Sequence, residues 1–386
     1  MRRRRVCVVT GTRAEFGLLR WLMDELAADP TLDILCFATG SHLDPGHGST
    51  VEEITASGHQ VTEEIPILTG GDAERDIATA FASGVIGLQA AFERHHPDLV
   101  ILLGDRYETL AAATAAMFCR VPIAHLHGGE STEGVIDEAV RHAVTKLSHL
   151  HFTAHEIYRG RVLQLGEDPN RVWNVGALGA EAALRTMPLN DSELSQLLGM
   201  TIPENVLAVT VHPLTLDSTQ DGPTIEAILE ALQDDLETLL VFTLPNADHN
   251  HLTIRERILE FVAGRDNSVA VQSLGQQAYI SLMRRSQAVI GNSSSGILEA
   301  PTLRIPTIDV GDRQRGRLKP ASVVHCEPVT TEIRAALAHV RSQDFLAEVE
   351  AMPLPFGDGS TSRQIARLLR EQPLEGILFK HFVEAC

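Results

Sequence analysis

A chain of 386 residues, 44 % apolar and only 4 % aromatic, is long enough for two domains with full cores and suits an aliphatic α/β protein. Its formal charge of −19 argues against general nucleic-acid binding and against a polybasic membrane contact. An anionic ligand would therefore need a local cluster of arginines.

The first residues, Met1 to Arg5, have the charge of a signal-peptide n-region, but the apolar run behind them stops at Thr10-Gly11, too short for an h-region. From there, apolar β-rich runs predict strands over residues 6–10, 34–38, 99–103, 123–126, 151–153 and 172–175. Helical patterns separate them over 18–28, 82–94, 109–118, 137–149 and 155–165. In the second half, strands are predicted over 206–211, 239–244, 269–272, 288–290, 307–310 and 323–325, with helices over 224–232, 254–263, 279–285 and 297–303. Such alternation means βαβ units and parallel sheets. Continuous Val, Ile and Leu runs are those of strands buried on both faces. The two sets divide near residues 176–203, a stretch rich in Pro, Asn, Asp, Ser and Gly. Two Rossmann-like domains are expected, with ligands at the carboxyl ends of their strands and the active site in a cleft between two facing sheets. No segment approaches the length of a membrane span. The five cysteines (Cys7, Cys36, Cys119, Cys326 and Cys386) are odd in number and lack CxxC spacing, so neither a disulfide framework nor a zinc site is implied. A cytoplasmic protein is expected.

The densest chemistry lies in Gly128-Gly129-Glu130 and in the helix that begins near Asp137. Asp137 and Arg141 are four residues apart, as are Glu138 and His142, so each pair shares a helix face. Two exposed ion pairs are the simplest reading. The strand that ends at His127, just before the Gly-Gly loop, favours a ligand site instead. Leu102-Leu103-Gly104-Asp105-Arg106 likewise puts a carboxylate and a guanidinium at the end of a buried strand, where a helix-capping Asp is the competing reading.

Three loops suit an anion. Thr10-Gly11-Thr12-Arg13 is a strand-to-helix turn without the GxGxxG of a dinucleotide site, but with backbone N–H groups that suit phosphate. Gly291-Asn292-Ser293-Ser294-Ser295-Gly296 sets three serines at a helix entry, and Arg313, Arg315 and Arg317 follow a later strand. His212, in Val211-His212-Pro213, and Asn246, in Pro245-Asn246, also stand at strand ends. The pairs His125/His127, His149/His151 and His249/His251 invite a metal reading, yet no HExxH is present and only Glu138/His142 has ligand-like spacing, so no metal is expected.

Gly-Asp-Arg at 104–106, Gly-Gly-Glu at 128–130, Asp137-Glu138 with Arg141-His142 and Thr145-Lys146, Val211-His212-Pro213, and the Ser loop with Glu299 together resemble the hydrolysing UDP-N-acetylglucosamine 2-epimerases. Thr10-Gly11-Thr12-Arg13, Gly40-Ser41-His42-Leu43, Pro245-Asn246, Arg313 and Phe356-Gly357-Asp358-Gly359 extend the resemblance over roughly residues 6–372. It implies a GT-B-like α/β fold: an N-terminal Rossmann-like domain over 1–180 with the catalytic carboxylates, a nucleotide-binding one over 190–355, and a segment 356–386 crossing back to the first.

The resemblance also implies a reaction without nicotinamide, obligatory metal or other cofactor. The C2 proton and UDP leave to give a glycal, water adds, and the epimerised sugar is released. A positioned base and a positioned acid are required. By motif match Asp105 and Asp137 are carboxylates of that set, and Arg141 would orient Asp137 or meet the diphosphate. Arg13, Arg106, His212, Asn246, Ser293, Ser294, Glu299 and Arg313 would hold the nucleotide, His212 also serving the chemistry. Relatives often carry Glu-Gly-Gly-Glu where this chain has His127-Gly128-Gly129-Glu130, so the second acid/base is either His127 or Glu130; His127, at the strand end itself, is the favoured choice. The expected partner is a UDP-sugar and the expected state a homo-oligomer, dimer or tetramer. UDP-N-acetylglucosamine is the first substrate expected, with a nucleotide-linked 2,4-diacetamido-2,4,6-trideoxy sugar as the alternative. A GT-B glycosyltransferase is the reading from another class, recognisable by its need for an acceptor.

Overall fold

The structure, a computed structural model, describes residues 3–44, 50–71, 73–133, 135–213, 221–245, 251–272 and 274–384. The chain divides into two units. The first comprises Met1–Glu130, Ile136–Ala182 and Gly357–Cys386, and the second Ser131–Val135 and Ala183–Phe356. Each is built on one parallel sheet.

The first sheet contains β1 (Arg4–Thr10), β2 (Leu32–Thr39), β3 (Glu63–Ile65), β4 (Leu99–Leu103), β5 (Ile123–Leu126), β6 (Leu150–Thr153) and β7 (Val172–Asn174), in the order β3-β2-β1-β4-β5-β6-β7. Alternate residues feed opposite faces, as the two-residue period of a strand dictates. Val6, Val8, Ile101 and Leu103 join Leu19, Leu22 and Leu26 of the helix Arg13–Ala27 in one core, while Cys7, Val9, Val100 and Leu102 join Leu88 and Phe92 of the helix Glu74–His95 in the other. Strands covered on both sides explain the unbroken apolar runs.

The second sheet contains β8 (Val206–Thr210), β9 (Leu239–Thr243), β10 (Ser268–Val271), β11 (Ala288–Gly291), β12 (Thr307–Val310) and β13 (Val323–Cys326), ordered β10-β9-β8-β11-β12-β13. Its faces again separate, Leu207, Val209, Leu240 and Phe242 on one side and Val206, Ala208, Leu239 and Val241 on the other. In both sheets the order reverses beside the first strand, at β1/β4 and at β8/β11. Ligands of open α/β sheets bind at such switch points.

Among the features outside the sequence reading are a strand and the start of a helix in the first unit. The strand Glu63–Ile65 was not expected, because Glu-Glu-Ile is no apolar run. It is held at the sheet edge by parallel pairing to β2 and by Arg94 and His95 on Glu63. The helix predicted over 82–94 begins at Glu74, its first turns being exposed almost all round and giving no apolar period. The helix Thr361–Glu371 belongs to the first unit, where Ile365, Leu368 and Leu369 pack with Leu19 and Leu22. No helix among the described residues is long and apolar enough to cross a membrane.

Candidate functional site

In the first unit, the carboxyl ends of β1, β4 and β5 gather ionisable side chains around one guanidinium. Arg141, from the helix Asp137–Leu147, is 1 % exposed. Its Nε donates to Asp105 Oδ2 at 3.0 Å and Nη2 donates to the same oxygen. Nη1 donates to Glu138 Oε2 at 2.6 Å and to the Glu130 carbonyl at 3.0 Å. Burial works against its charge, but Asp105, Glu130 and Glu138 outweigh that and raise its pKa. One cation thus fixes the loop after β4, the loop after β5 and its own helix. His125 adds a second tie from inside β5, with Nε2 2.8 Å from the Gly104 carbonyl and Nδ1 3.1 Å from Thr145 Oγ1. Burial holds its pKa down at about 3, so it is a neutral strut.

Asp137 opens that helix, and its pKa is raised, first by burial and then by the charge of Asp105, against the pull of Arg106 and Arg141. Two neighbouring carboxyls therefore differ: Asp105 is clamped by a guanidinium and Asp137 is pushed towards holding a proton. Divergent environments of this kind let one carboxyl act as base and another as acid.

His127 follows β5 with a left-handed backbone, φ +65°. Its Nδ1 is 2.8 Å from Glu130 Oε1, and the Leu178 N–H donates to its Nε2 at 3.2 Å. The two candidates for the second acid/base are thus in direct contact. Arg106 precedes the helix Tyr107–Phe118 and pairs with the buried Glu108, Nε to Oε2 at 3.3 Å. Arg13, on the first turn after β1, pairs with Glu53 at 3.0 Å and is half exposed.

Sequence reasoning missed Glu15 and Glu108. Glu15 accepts the Gly11 N–H at 2.7 Å, and burial, with Glu108 nearby, raises its pKa to about 8. Thr12 and Glu15 have the spacing of a helix cap, and the Thr12 hydroxyl accepts the Glu15 N–H at 3.2 Å. That signal marked a helix start and hid a half-buried acid.

The second unit presents hydroxyls, amides and one prominent arginine at the ends of β8, β11 and β12. The Asn292 side chain clasps the His212 backbone, accepting its N–H and donating to its carbonyl, both at 2.8 Å. The imidazole of His212 is pulled down to about 4 by burial and by Arg313, and its buried Nδ1 has no hydrogen-bond partner among the described residues. Arg313 Nη1 and Gln314 Nε2 donate to the Asn292 carbonyl at 3.1 and 2.8 Å. Gly291 is required here, since a Cβ would collide with the Thr210 carbonyl.

A hydroxyl chain supports the Ser loop. Ser293 Oγ is 2.9 Å from Ser295 Oγ, which is 2.7 Å from Tyr279 Oη, and Thr210 Oγ1 lies 3.3 Å from that Tyr279 oxygen and 2.6 Å from Thr243 Oγ1. No motif announced Tyr279, Thr210 or Thr243. Ser294 is exposed at the start of the helix Ser295–Thr302, and Glu299 is half-buried on it. Arg315 pairs with Glu133 at 3.3 Å, and Arg317 donates to Thr132 Oγ1 at 3.3 Å. Asn246 lies outside the described residues.

Comparison with known proteins gives the chain its family and its fold class. The UDP-N-acetylglucosamine 2-epimerase family model matches residues 24–370. A Campylobacter jejuni GDP/UDP-N,N'-diacetylbacillosamine 2-epimerase (hydrolyzing) is 37 % identical over 386 residues, 100 % of each chain. A Legionella pneumophila UDP-N,N'-diacetylbacillosamine 2-epimerase (hydrolyzing) is 32 % identical over 96 % of this chain and 97 % of its own length. Among solved structures, the Neisseria meningitidis UDP-GlcNAc 2-epimerase bound to UDP-GlcNAc superposes with a TM-score of 0.82 at 19 % identity, covering 95 % of this chain and 100 % of that one. The fold class is therefore GT-B-like, two Rossmann-like α/β domains with parallel sheets. The chain belongs to the UDP-N-acetylglucosamine 2-epimerase family.

Proposed function

We propose that this protein is a hydrolysing 2-epimerase acting on a UDP-linked 2,4-diacetamido-2,4,6-trideoxyhexose, yielding UDP and the free sugar inverted at C2. The observation that carries the reaction type is the carboxyl pair Asp105 and Asp137, one held by the buried Arg141 and the other with a raised pKa. The substrate is carried over from the Campylobacter and Legionella relatives, which match end to end.

In this reading the first unit handles the C2 proton and the second holds UDP. A carboxylate removes the C2 proton, the C1–O bond breaks as C1=C2 forms, and UDP departs with the electron pair. A proton then returns to C2 from the opposite face while water adds at C1. Asp137, its pKa raised by burial and by Asp105, is suited to hold and return a proton, and Asp105 is oriented by Arg141. Arg313, Ser293 and Ser294 hold the diphosphate as charged and hydroxyl donors, Glu299 takes the ribose hydroxyls, and Arg13 and Arg106 complete the nucleotide contacts. The pKa of His212, held down by burial and by Arg313, rises as the diphosphate arrives beside it.

The test is to supply purified protein with the diacetamido UDP-sugar and, separately, with UDP-N-acetylglucosamine, following UDP and free sugar without any acceptor. Release of both products, with kcat/KM favouring the diacetamido substrate, is expected. A preference for UDP-N-acetylglucosamine would reassign the sugar, and dependence on an acceptor would reassign the class.

A further inference from the structure

The contact between His127 and Glu130 decides which of them handles a proton. We infer that His127 is a positioning residue, a neutral bracket between the Leu178 amide and the Glu130 carboxylate, and that Glu130 is the second acid/base. This rests on the reaction proposed above.

The hydrogen bonds fix the tautomer. A backbone amide can only donate, so the Leu178 N–H at 3.2 Å requires a lone pair on Nε2. The ring proton then sits on Nδ1 and is directed at Glu130 Oε1, 2.8 Å away. Both nitrogens are engaged with the protein. For the imidazole to take a proton from carbon, Nε2 would have to abandon a backbone donor at the start of the helix Leu178–Arg185, or Nδ1 would have to release Glu130. A carboxylate offers about four lone-pair sites on its two oxygens, so accepting hydrogen bonds does not bar it from taking a proton.

The backbone holds this bracket in one conformation. His127 is in the left-handed region at φ +65°, which His and Asn tolerate better than most side chains. Gly129 is also left-handed, and a Cβ there would strike the Tyr158 carbonyl. A Cβ on Gly128 would lie 3.0 Å from both His125 Nδ1 and Thr145 Oγ1. Finally, Arg141 Nη1 holds the Glu130 carbonyl at 3.0 Å while the same guanidinium holds Asp105. Glu130 is therefore set from two directions, its main chain registered to Asp105 and its carboxylate aimed by His127.

Three variants separate positioning from proton transfer. His127→Asn keeps an N–H donor near the Nδ1 position, accepts the left-handed backbone and cannot act as an acid or base near neutrality. It should retain turnover within about tenfold of the parent, the loss of one hydrogen bond, with both limbs of the pH–kcat/KM profile in place. His127→Leu, which keeps neither bond, should lose kcat with little change in KM. Glu130→Gln should lower turnover by about 10²–10⁴-fold while binding UDP as the parent does. In the parent itself, nitrogen chemical shifts should report the Nδ1–H tautomer of His127 with and without UDP, a readout independent of whether any variant folds. The inference is overturned if His127→Asn falls as far as Glu130→Gln and loses a pH limb, if Glu130→Gln keeps near-parental turnover, or if the ring is the Nε2–H tautomer. A parent that releases no UDP from either nucleotide sugar contradicts the reaction assignment instead, and the tautomer measurement still stands.

Discussion

The two sheets share a strand order but not a chemistry. At the strand ends of the first unit stand Asp105, Glu108, Glu130, Asp137 and Glu138 with the buried Arg141, while the corresponding ends of the second carry Asn292, Ser293, Ser295, Tyr279 and Arg313. Ionisable groups in low-dielectric surroundings have pKa values that neighbours can move. Serine hydroxyls and amides do not titrate near neutrality, burial raises the Tyr279 phenol further from it, and these groups supply fixed donors for an anion. On the proposed reading, the same scaffold serves proton transfer in one copy and retention of a charged leaving group in the other. The net charge of −19 is no obstacle, because the anion-binding donors are confined to particular strand ends.

The largest effect should follow from breaking the first unit's carboxyl pair. Asp137→Asn and Asp105→Asn should each cost about 10²–10⁴ in turnover and leave UDP affinity within a few-fold. Asp105→Asn has a second signature. The negative charge of Asp105 helps to raise the pKa of Asp137, and Arg141 opposes it, so neutralising Asp105 must lower that pKa. The limb of the residual pH–rate profile set by Asp137 should then move to lower pH. An unmoved limb would assign it to another group.

Acid should next separate the units by stability. Among the described residues the first unit holds His42, His125 and His149 with pKa values pulled down by burial to about 4, 3 and 4, and the second holds His212 at about 4. A folded-state pKa below the unfolded value near 6.5 means that the unfolded chain binds the proton first. Stability is therefore lost as pH falls below 6.5, by roughly 1 kcal/mol per imidazole for each pH unit. Hydrogen exchange at falling pH should show amides of β4, β5 and β6 losing protection before those of β8, β9 and β11. The reverse order would contradict the assignment.

Legibility in the sequence followed burial. β4 and β8 were readable because both their faces are covered, and Glu63–Ile65 was not because its place depends on pairing with β2. Asp105, Asp137 and Arg141 were readable as types at strand and helix ends. Their pairing was not: helical spacing joins Arg141 to Asp137, four residues away, whereas the fold gives its guanidinium to Asp105, 36 residues away. The hydroxyl chain through Tyr279, Thr210 and Thr243 was unreadable because three strands or helices each contribute one ordinary polar residue.

A smaller effect is expected in the second unit. Arg313→Ala removes a charge-assisted donor worth about 1.5–3 kcal/mol, so UDP should bind about tenfold or more weakly. The deuterium content of any product formed should be unchanged. Parental UDP affinity would detach this arginine from the nucleotide.

The central claim is that the first unit removes the proton from C2. Product formed from the diacetamido UDP-sugar in deuterated water should carry deuterium at C2, released together with UDP and with no added NAD. Free sugar that retains the substrate's own hydrogen at C2 would contradict the account.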